Sequence, residues 1–304
     1  MSGVYVRTIA PMGTIVTIQV VGGGPDETEE ARGARAEGVS RAAAWFEEIE
    51  KACSRFDPSS ELRQLCAKVA TAVAASPMLF ETIRFALEVA KDTDGAFDPT
   101  VGRRMEARGF DRHHVTGERV NSGAPDAGAS WRDVEVDSVA HTVTLHRPLT
   151  LDLGAVAKGL AVDMAARELT RFGNFAVDAG GDLYLGGRNA DGALWSVGVR
   201  DPRGDGLIET LRVSDTAVCT SGDYERRGPQ DAGAHHILDA RFGDTASCLA
   251  SVTVVAPSAM VADAFATAAF ALGPDEGARF LERHQLCGIL VTPSRERIDT
   301  GAAM

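Results

Sequence analysis

The sequence predicts an α+β fold, and three observations support this class. The chain has 304 residues of which 44% are hydrophobic, enough to bury a substantial core. Helical and strand patterns occur in mixed order, without the steady strand–helix alternation of a parallel sheet. Neither an internal repeat nor a long linker interrupts the sequence. We therefore expect residues 1–304 to form a single compact domain, built as one or two lobes.

The N-terminal half is predicted to contain one strand and two helices. Residues 14–21 have strand character and precede a Gly-Gly-Gly-Pro break. Residues 27–53 are rich in Ala and Glu and indicate a helix, and a second helix begins at Pro77 and ends before Gly95. Residues 103–130, rich in Arg, His, Gly, Ser and Ala, predict a surface excursion.

The C-terminal half is predicted to be richer in strands. The expected strands are 132–136, 142–146, 149–153, 175–178, 194–199 and 250–256. A helix over 157–172 interrupts them. Ser258 is a plausible N-cap and Gly273 a plausible stop for a further helix. A helix over 275–285 and a buried strand over 288–292 complete the chain.

Net charge argues against nucleic-acid binding. Acidic residues number 43 against 31 basic ones, which gives a formal charge of −12, and the basic residues form no cluster. An anionic nucleotide would then need local help from a metal, a Lys or backbone N–H groups.

Cysteine usage and the N-terminus indicate a reducing compartment. The five cysteines are odd in number and form no CxxC pair, which argues against a disulfide framework or a zinc site. The segment MSGVYVRTIAPMG has no signal-peptide pattern, no lipid-anchor Cys is visible, and no apolar run of 18 residues is present. We expect a cytoplasmic protein as the sequence stands, or an exported or membrane-associated one if its natural N-terminus is longer.

Asp263 and Thr267 form a candidate metal site. They lie four residues apart on the predicted helix over 258–273, so their side chains share one face. A carboxylate and a hydroxyl offer two hard oxygens, which suit Mg²⁺. Taken alone, the pair favours the simpler interpretation of a solvated Asp and a Thr bonded back into its helix.

A second candidate site follows the predicted strand that ends near Asp152. Small residues over 155–159 would let a ligand approach the backbone closely, and a helix N-terminus favours phosphate. Lys158 adds a positive charge in the first helical turn, where a cation opposes the helix dipole. Phosphate binding and an ordinary surface Lys are equally good interpretations of this pattern.

Eight segments in order resemble the ApbE family of FAD:protein FMN transferases. They are MGT at 12–14, SRF at 54–56 continued directly by DPSSEL at 57–62, GAFDPTVG at 95–102, LDLGAVAKG at 151–159, AGGD at 179–182, TSGDY at 220–224, HILD at 236–239 and ADAFAT at 262–267. The resemblance extends from about residue 10 to about residue 293. It implies an ApbE-like, T-fold-like unit in which helices flank mixed or antiparallel sheets.

The resemblance also implies roles for individual residues. The implied flavin-contact residues are Met12, Phe56, Ala96, Phe97, Asp98, Asp152, Lys158 and Ile237. The metal would be held by the backbone carbonyl of Ala155 and the side chains of Asp263 and Thr267. His236 and Asp263 are the implied catalytic residues, and the neighbouring His235 is the competitor for the histidine role. If 235–239 is a strand, these two histidines point to opposite faces.

Several positions depart from the family pattern. Phe56 stands where the family often has Tyr, and Ala266 where it sometimes has a second Asp. Ala240 replaces the usual Pro and Phe242 the usual Thr after Asp239. The last two changes place the local chain path, and so the position of His236, in question.

The implied activity is the Mg²⁺-dependent transfer of FMN from FAD to a Ser or Thr hydroxyl of an acceptor flavoprotein, with release of AMP. Mn²⁺ is expected to substitute for Mg²⁺ because both ions favour oxygen ligands. Two alternatives remain open: an FAD pyrophosphatase that yields FMN and AMP, and a flavin-binding or carrier protein without turnover.

Overall fold

The computed structural model describes residues 3–22, 27–126, 128–225 and 235–301. Its α-helices in these ranges are α1 (Glu29–Cys53), α2 (Glu61–Cys66), α3 (Pro77–Asp92), α4 (Gly102–Ala107), α5 (Ala157–Leu169), α6 (Ala259–Leu272) and α7 (Pro274–Arg283). The helices expected from the sequence match α1, α3, α5, α6 and α7 to within a few residues. Among the described helices none is long and apolar enough to cross a membrane.

The strands are short and numerous. They are β1 (Val4–Ile9), β2 (Val16–Val21), β3 (Val73–Ala74), β4 (Val134–Asp137), β5 (Thr142–Leu145), β6 (Phe175–Ala179), β7 (Leu183–Gly186), β8 (Trp195–Arg200), β9 (Leu207–Val213), β10 (Thr216–Gly222), β11 (Leu238–Asp239), β12 (Asp244–Thr245), β13 (Ser251–Ala256), β14 (Cys287–Val291) and β15 (Arg297–Thr300). The predicted strands near 14–21, 132–136, 142–146, 175–178, 194–199, 250–256 and 288–292 are all present.

One large sheet organises the described residues. Its strand order is β1-β2-β6-β7-β10-β13-β14-β15, and every neighbouring pair is antiparallel. Smaller sheets join β3-β5-β4, β8-β9 and β11-β12. Helices and antiparallel sheets combined in one compact unit confirm the predicted α+β class.

The two faces of the large sheet are covered differently. Helices α1, α5 and α6 pack on one face, with α5 in contact with both α1 and α6, and this side contains the main hydrophobic core. A smaller core forms where Val199, Leu211 and Val213 of the β8-β9 hairpin meet Leu185 and Val218. The candidate site residues of α5 and α6 therefore lie on the helical side of the sheet.

The predicted strand over 149–153 is wrong. The segment is extended and buried, but in the described part of the chain it makes a parallel bridge between Thr150 and Val101 and a hydrogen bond from Asp152 N to the Pro99 carbonyl, 2.7 Å long. Pairing stops there because the neighbouring chain turns into α4 at Gly102. The backbone passes so close that a Cβ on Gly102 would lie 2.9 Å from Thr150 Cγ2.

The predicted surface excursion over 103–130 begins with a helix, α4, that packs against the rest of the protein. Helix α4 buries Met105, and the described residues that follow it form turns, loops and one isolated antiparallel bridge between Arg112 and Arg119. Sequence patterns missed several strands, most notably β10, which lies at the centre of the large sheet between β7 and β13.

Candidate active site

Helix α6 presents Asp263 and Thr267 towards α5 and β10. The helix begins where the Ser258 hydroxyl accepts a hydrogen bond from Val261 N, and it ends at Gly273, whose φ of 82° suits glycine. Asp263 is 5% exposed, and its Oδ2 accepts a hydrogen bond of 3.2 Å from Gly159 N at the start of α5. Thr267 Oγ1 lies 2.9 Å from Ser221 Oγ on β10. The structure therefore brings the two predicted metal ligands to one buried corner.

Lys158 supplies positive charge to the same corner. Its ammonium forms an ion pair with Asp182, in the turn between β6 and β7, and lies 4.0 Å from Asp263 Oδ1. Both carboxylates are almost fully buried. Two buried carboxylates facing one ammonium leave an excess of negative charge, which a bound cation would offset.

The donors of this corner fit a hard cation. Asp263 provides a carboxylate, Thr267 and Ser221 provide hydroxyls, and the turn before α5 contains Ala155, whose backbone carbonyl is the third predicted ligand. Within the described ranges no three His, Cys, Asp or Glu side chains cluster as a metal site. Hydroxyl, carbonyl and substrate oxygens would therefore have to complete the coordination, as is usual for Mg²⁺.

Asp152 is held by a buried arginine. Arg55 Nε donates to Asp152 Oδ2 over 2.6 Å, and Arg55 Nη2 donates to the Phe110 carbonyl over 2.7 Å. Asp152 Oδ1 accepts from Gly154 N over 2.9 Å. The Arg55 guanidinium also lies 4.0 Å from the centroid of the Phe56 ring. Arg55 thus connects two predicted flavin-contact residues, Asp152 and Phe56.

Sequence reasoning did not select Arg55 as a site residue. The available signal was a charged side chain inside the SRF segment, between the buried end of α1 and the predicted flavin contact at Phe56. An arginine in such a position is rarely buried unless it is paired. Its partner Asp152 lies far away in sequence, so the pairing itself left no local pattern.

The segment 96–98 is tied into the protein. The side chains of Ala96 and Phe97 are buried. Asp98 accepts hydrogen bonds from Thr100 N, Thr100 Oγ1 and Trp131 N, at 2.8, 2.7 and 3.0 Å, and burial raises the pKa of its carboxyl group. Asp98 thus shapes the loop that would face a flavin. Direct flavin contact by this segment stays a prediction, as it does for Met12 and for Ile237, whose side chain is also buried.

Met12 lies in the turn that leads into β2. Its φ of 54° is in the left-handed region, and Thr14 N closes the turn on the Pro11 carbonyl over 3.0 Å. The side chain is partly buried against the main core. A defined turn thus presents Met12 at the edge of the helical side of the sheet.

The two adjacent histidines have different surroundings. His235 is 4% exposed, its Nδ1 accepts from Ile237 N over 3.2 Å, and its ring meets Phe270 of α6 edge-on at 5.4 Å. Burial lowers the pKa of His235. His236 is half-buried, and its ring lies edge-on to Phe110 at 6.4 Å. His235 therefore has the character of a core residue, and His236 is the more accessible of the two.

A strand over 235–239 would place the two histidine side chains on opposite faces, but the strand in the structure does not include the histidines. It covers Leu238–Asp239 and pairs with Asp244–Thr245. Arg108 of the segment after α4 donates to Thr245 Oγ1 at 2.8 Å and to the Gly243 carbonyl at 2.5 Å, and Arg104 donates to the Ala240 carbonyl at 2.8 Å. Arginines from a distant part of the chain therefore hold the hairpin in place.

One departure from the family pattern has a direct structural consequence. Ala240 N donates a hydrogen bond of 3.1 Å to the Ala96 carbonyl. Proline, usual at this position in the family, has no N–H and could not make this bond. Phe242, the second departure, is 74% exposed and lies beside Arg241. The hairpin thus reaches the predicted flavin segment through a contact that depends on Ala240.

Comparison with known proteins gives the family. The ApbE family profile matches residues 12–290. The FAD:protein FMN transferase of Vibrio cholerae is 30% identical over 258 residues, covering 81% of this chain and 76% of the relative. The FAD:protein FMN transferase of Treponema pallidum is 34% identical over 245 residues, covering 73% and 67%. The crystal structure of the ApbE protein from Thermotoga maritima superposes with a TM-score of 0.83 at 30% identity, covering 98% of this chain and 97% of that one. Profile, relatives and fold agree, and the chain belongs to the ApbE family.

Proposed function

We propose that this protein transfers FMN from FAD to a Ser or Thr hydroxyl of an acceptor protein and releases AMP, in a reaction that requires Mg²⁺. The observation that carries the proposal is the corner where Asp263 meets Lys158 and Gly159 in the first turn of α5, directly after the turn that contains Ala155, and where Thr267 meets Ser221. It supports this activity because the relatives at comparable length are named FAD:protein FMN transferases.

The residues that would hold the metal are Asp263, Thr267 and the Ala155 carbonyl. A bound Mg²⁺ would neutralise charge on the pyrophosphate of FAD and on the departing phosphate. Asp263 is suited to this task because it is buried and already oriented by Gly159 N.

Transfer exchanges the phosphoanhydride bond of FAD for a phosphate ester bond to the acceptor. The acceptor hydroxyl oxygen forms a bond to the phosphorus of the FMN half of FAD, and the bond from that phosphorus to the bridging oxygen breaks. The bridging oxygen leaves with the electron pair as part of AMP. His236 accepts the proton of the attacking hydroxyl, since an imidazole can serve as a general base and this one is half-buried beside Phe110. Lys158 stabilises the charge of the leaving phosphate.

The flavin would occupy the side of the site formed by Phe56, Asp152 and the 96–98 loop. An aromatic ring at Phe56 can stack on the isoalloxazine, and the change from Tyr retains that contact while losing a hydroxyl. The carboxylate of Asp152 is fixed by Arg55 and Gly154 N, so a hydrogen-bonding flavin edge would meet an oriented partner.

The test is mass spectrometry of a candidate acceptor flavoprotein after incubation with this protein, FAD and Mg²⁺. The proposal expects a mass gain of one FMN minus water, located on Ser or Thr by fragmentation, with AMP released in equal amount. The His236→Ala variant and a sample with chelator serve as controls. Free FMN and AMP formed equally with and without acceptor would instead identify a hydrolase. Tight FAD binding without any AMP would identify a flavin carrier.

A further inference from the structure

Asp163 lies on α5 and binds the N-terminus of α6. Its Oδ2 accepts from Ser258 Oγ at 2.7 Å and from Met260 N at 2.9 Å, and its Oδ1 accepts from Ala259 N at 2.7 Å. The first N–H groups of a helix have no partner within the helix, so a side chain from elsewhere that binds them fixes where the helix begins. Asp163 does so from a different helix.

The environment of the Asp163 carboxylate strengthens its hydrogen bonds to the start of α6. Burial is the main reason that the pKa of Asp163 is raised, and the nearby Asp263 carboxylate adds to this effect. A carboxylate that accepts several N–H and O–H donors in a poorly solvated place forms charge-assisted hydrogen bonds. The negative charge also lies at the positive end of the α6 dipole. The protein thus tolerates the half-buried carboxylate of Asp163 close to the buried carboxylate of Asp263 at this junction.

A second contact fixes the same two helices one turn away. Gly159 N binds Asp263 Oδ2, and a Cβ on Gly159 would lie 2.6 Å from Met260 Cα. The backbones of α5 and α6 therefore approach as closely as glycine permits. Together, Gly159 and Asp163 set both the separation of the helices and their register.

We propose that Asp163 is a positioning residue for the metal site: by holding the start of α6 against α5, it sets the spacing between the Ala155 carbonyl and the side chains of Asp263 and Thr267. This inference rests on the proposed function, in which those three groups hold Mg²⁺. Asp163 points its oxygens at Ser258, Ala259 and Met260, so it acts through α6 rather than on the substrate. A one-turn shift of α6 relative to α5 would move both side-chain ligands away from Ala155.

The test compares helix-cap variants at two places. Asp163→Asn keeps the size but removes the charge and part of the acceptor capacity. Ser258→Ala removes one partner of Asp163 together with the N-cap bond from Val261 N, and leaves the two amide bonds to Asp163. Ser76→Ala is the matched control, because Ser76 caps α3 through Leu79 N, far from α6 in the sequence and outside the candidate site. Mn²⁺ binding is titrated by electron paramagnetic resonance with FAD present, and thermal unfolding and the Mg²⁺ dependence of FMN transfer are measured alongside.

We expect Asp163→Asn to raise the half-saturating Mn²⁺ concentration by about 10–100-fold, the range for residues that orient metal ligands. Ser258→Ala should raise the half-saturating Mn²⁺ concentration by a smaller factor. Ser76→Ala should lower the melting temperature but leave the half-saturating Mn²⁺ concentration unchanged. If Asp163→Asn does not fold, the Ser258→Ala measurement decides the question. Unchanged Mn²⁺ affinity in the folded variants would overturn the proposal and leave Asp163 as a helix cap alone.

The outcome separates this inference from the proposed function. Wild-type protein that binds Mn²⁺ with FAD but transfers no FMN would contradict the function, while a weaker Mn²⁺ site in Asp163→Asn would still support positioning. If the wild-type protein transfers FMN and the Asp163→Asn variant binds Mn²⁺ with normal affinity, the proposed function is supported and the positioning role of Asp163 is contradicted. Wild-type protein that binds no Mn²⁺ would overturn both.

Discussion

The α5–α6 junction and the segment 235–245 carry the two halves of the candidate site, and they are stabilised in different ways. At the junction, the buried Gly159 and Asp263 and the half-buried Asp163 are bonded across two helices that also pack on the large sheet. The segment 235–245 has short paired strands, and Arg104 of α4 and Arg108, the residue that follows α4, hold its hairpin. The proposed metal ligands thus belong to the core, whereas His236 belongs to a weakly paired hairpin. We expect changes at the junction to alter stability and metal binding together, and changes at the half-buried His236 or in the hairpin over 238–245 to alter rate with little loss of stability.

Removing the charge of Asp263 should have the largest effect. Asp263→Asn keeps an oxygen that can accept from Gly159 N, so the fold should survive. We expect FMN transfer to fall by about 10³–10⁵-fold, equivalent to several kcal/mol of lost charge stabilisation. High Mg²⁺ should restore part of the rate, as measured by AMP release against metal concentration. Full activity in a chelator, or an unchanged Mg²⁺ requirement, would contradict the assignment.

The paired histidines test the hairpin half of the site. His236→Ala should slow FMN transfer by about 10²–10⁴-fold, the range for a lost general base, with FAD affinity largely retained. His235→Ala should cost far less rate, but leaving the buried Ile237 N–H without its acceptor should lower the free energy of unfolding by about 1–3 kcal/mol. Single-turnover rates and urea unfolding separate the two effects.

Each histidine variant serves as the control for the other. The opposite ranking of rates would show that the chain is shifted by one residue here, as Ala240 and Phe242 would allow. Equal and small effects would remove histidine from the mechanism and leave proton transfer to a carboxylate or to water.

Gly159→Ala tests how tightly the junction is packed. Because the added Cβ would meet backbone atoms of α6 rather than a flexible side chain, the helices must separate. We expect a loss of about 1–3 kcal/mol in the free energy of unfolding. Gly33→Ala on α1 is the matched control, since nothing lies within 4 Å of its added Cβ, and it should stabilise by up to about 1 kcal/mol. Similar losses in both variants would argue against a close α5–α6 contact.

Arg108→Ala should have the smallest effect and the most local one. It removes the hydrogen bonds to Thr245 Oγ1 and the Gly243 carbonyl, so the hairpin should open more often. We expect FMN transfer to fall by about 3–10-fold, the scale of one ordinary hydrogen bond, because Arg104 still holds the hairpin, and we expect amide exchange to accelerate over 238–245. Arg112→Ala, which removes only a bond to Gly117 within its own loop, should change neither. Unchanged exchange in Arg108→Ala would show that other contacts hold the hairpin.

Local sequence was sufficient for α6 and for the relation between its two ligands. Ser258, an alanine-rich run and Gly273 predict a helix that the structure bounds at Ala259–Leu272. Asp263 and Thr267 share a face because residues four apart always do so on a helix. The same reasoning located α1, α3, α5 and α7, whose caps and periodicity lie within their own residues.

Elements whose identity depends on a distant partner were not predictable in this way. β10 is rich in small residues and buried between β7 and β13, so its local pattern is weak, and its strand character comes from its neighbours. The opposite error occurred at 149–153, where buried leucines suggested a strand but the adjacent chain turns away into α4. Both β10 and the segment 149–153 are buried, which explains their apolar residues. Whether each forms a strand depends on whether a neighbouring strand is present to pair with its backbone.

The sequence by itself determined the fold class, the main helices, the family and the set of candidate residues. Tertiary structure alone decided that Arg55 pairs with Asp152, that Gly159 N reaches Asp263, that Asp163 caps α6 and that His235 rather than His236 is buried. The physical reason is separation along the chain. Periodicity and capping report interactions within about one helical turn, whereas these contacts mostly join residues roughly a hundred positions apart and form only when the helices and the sheet have packed.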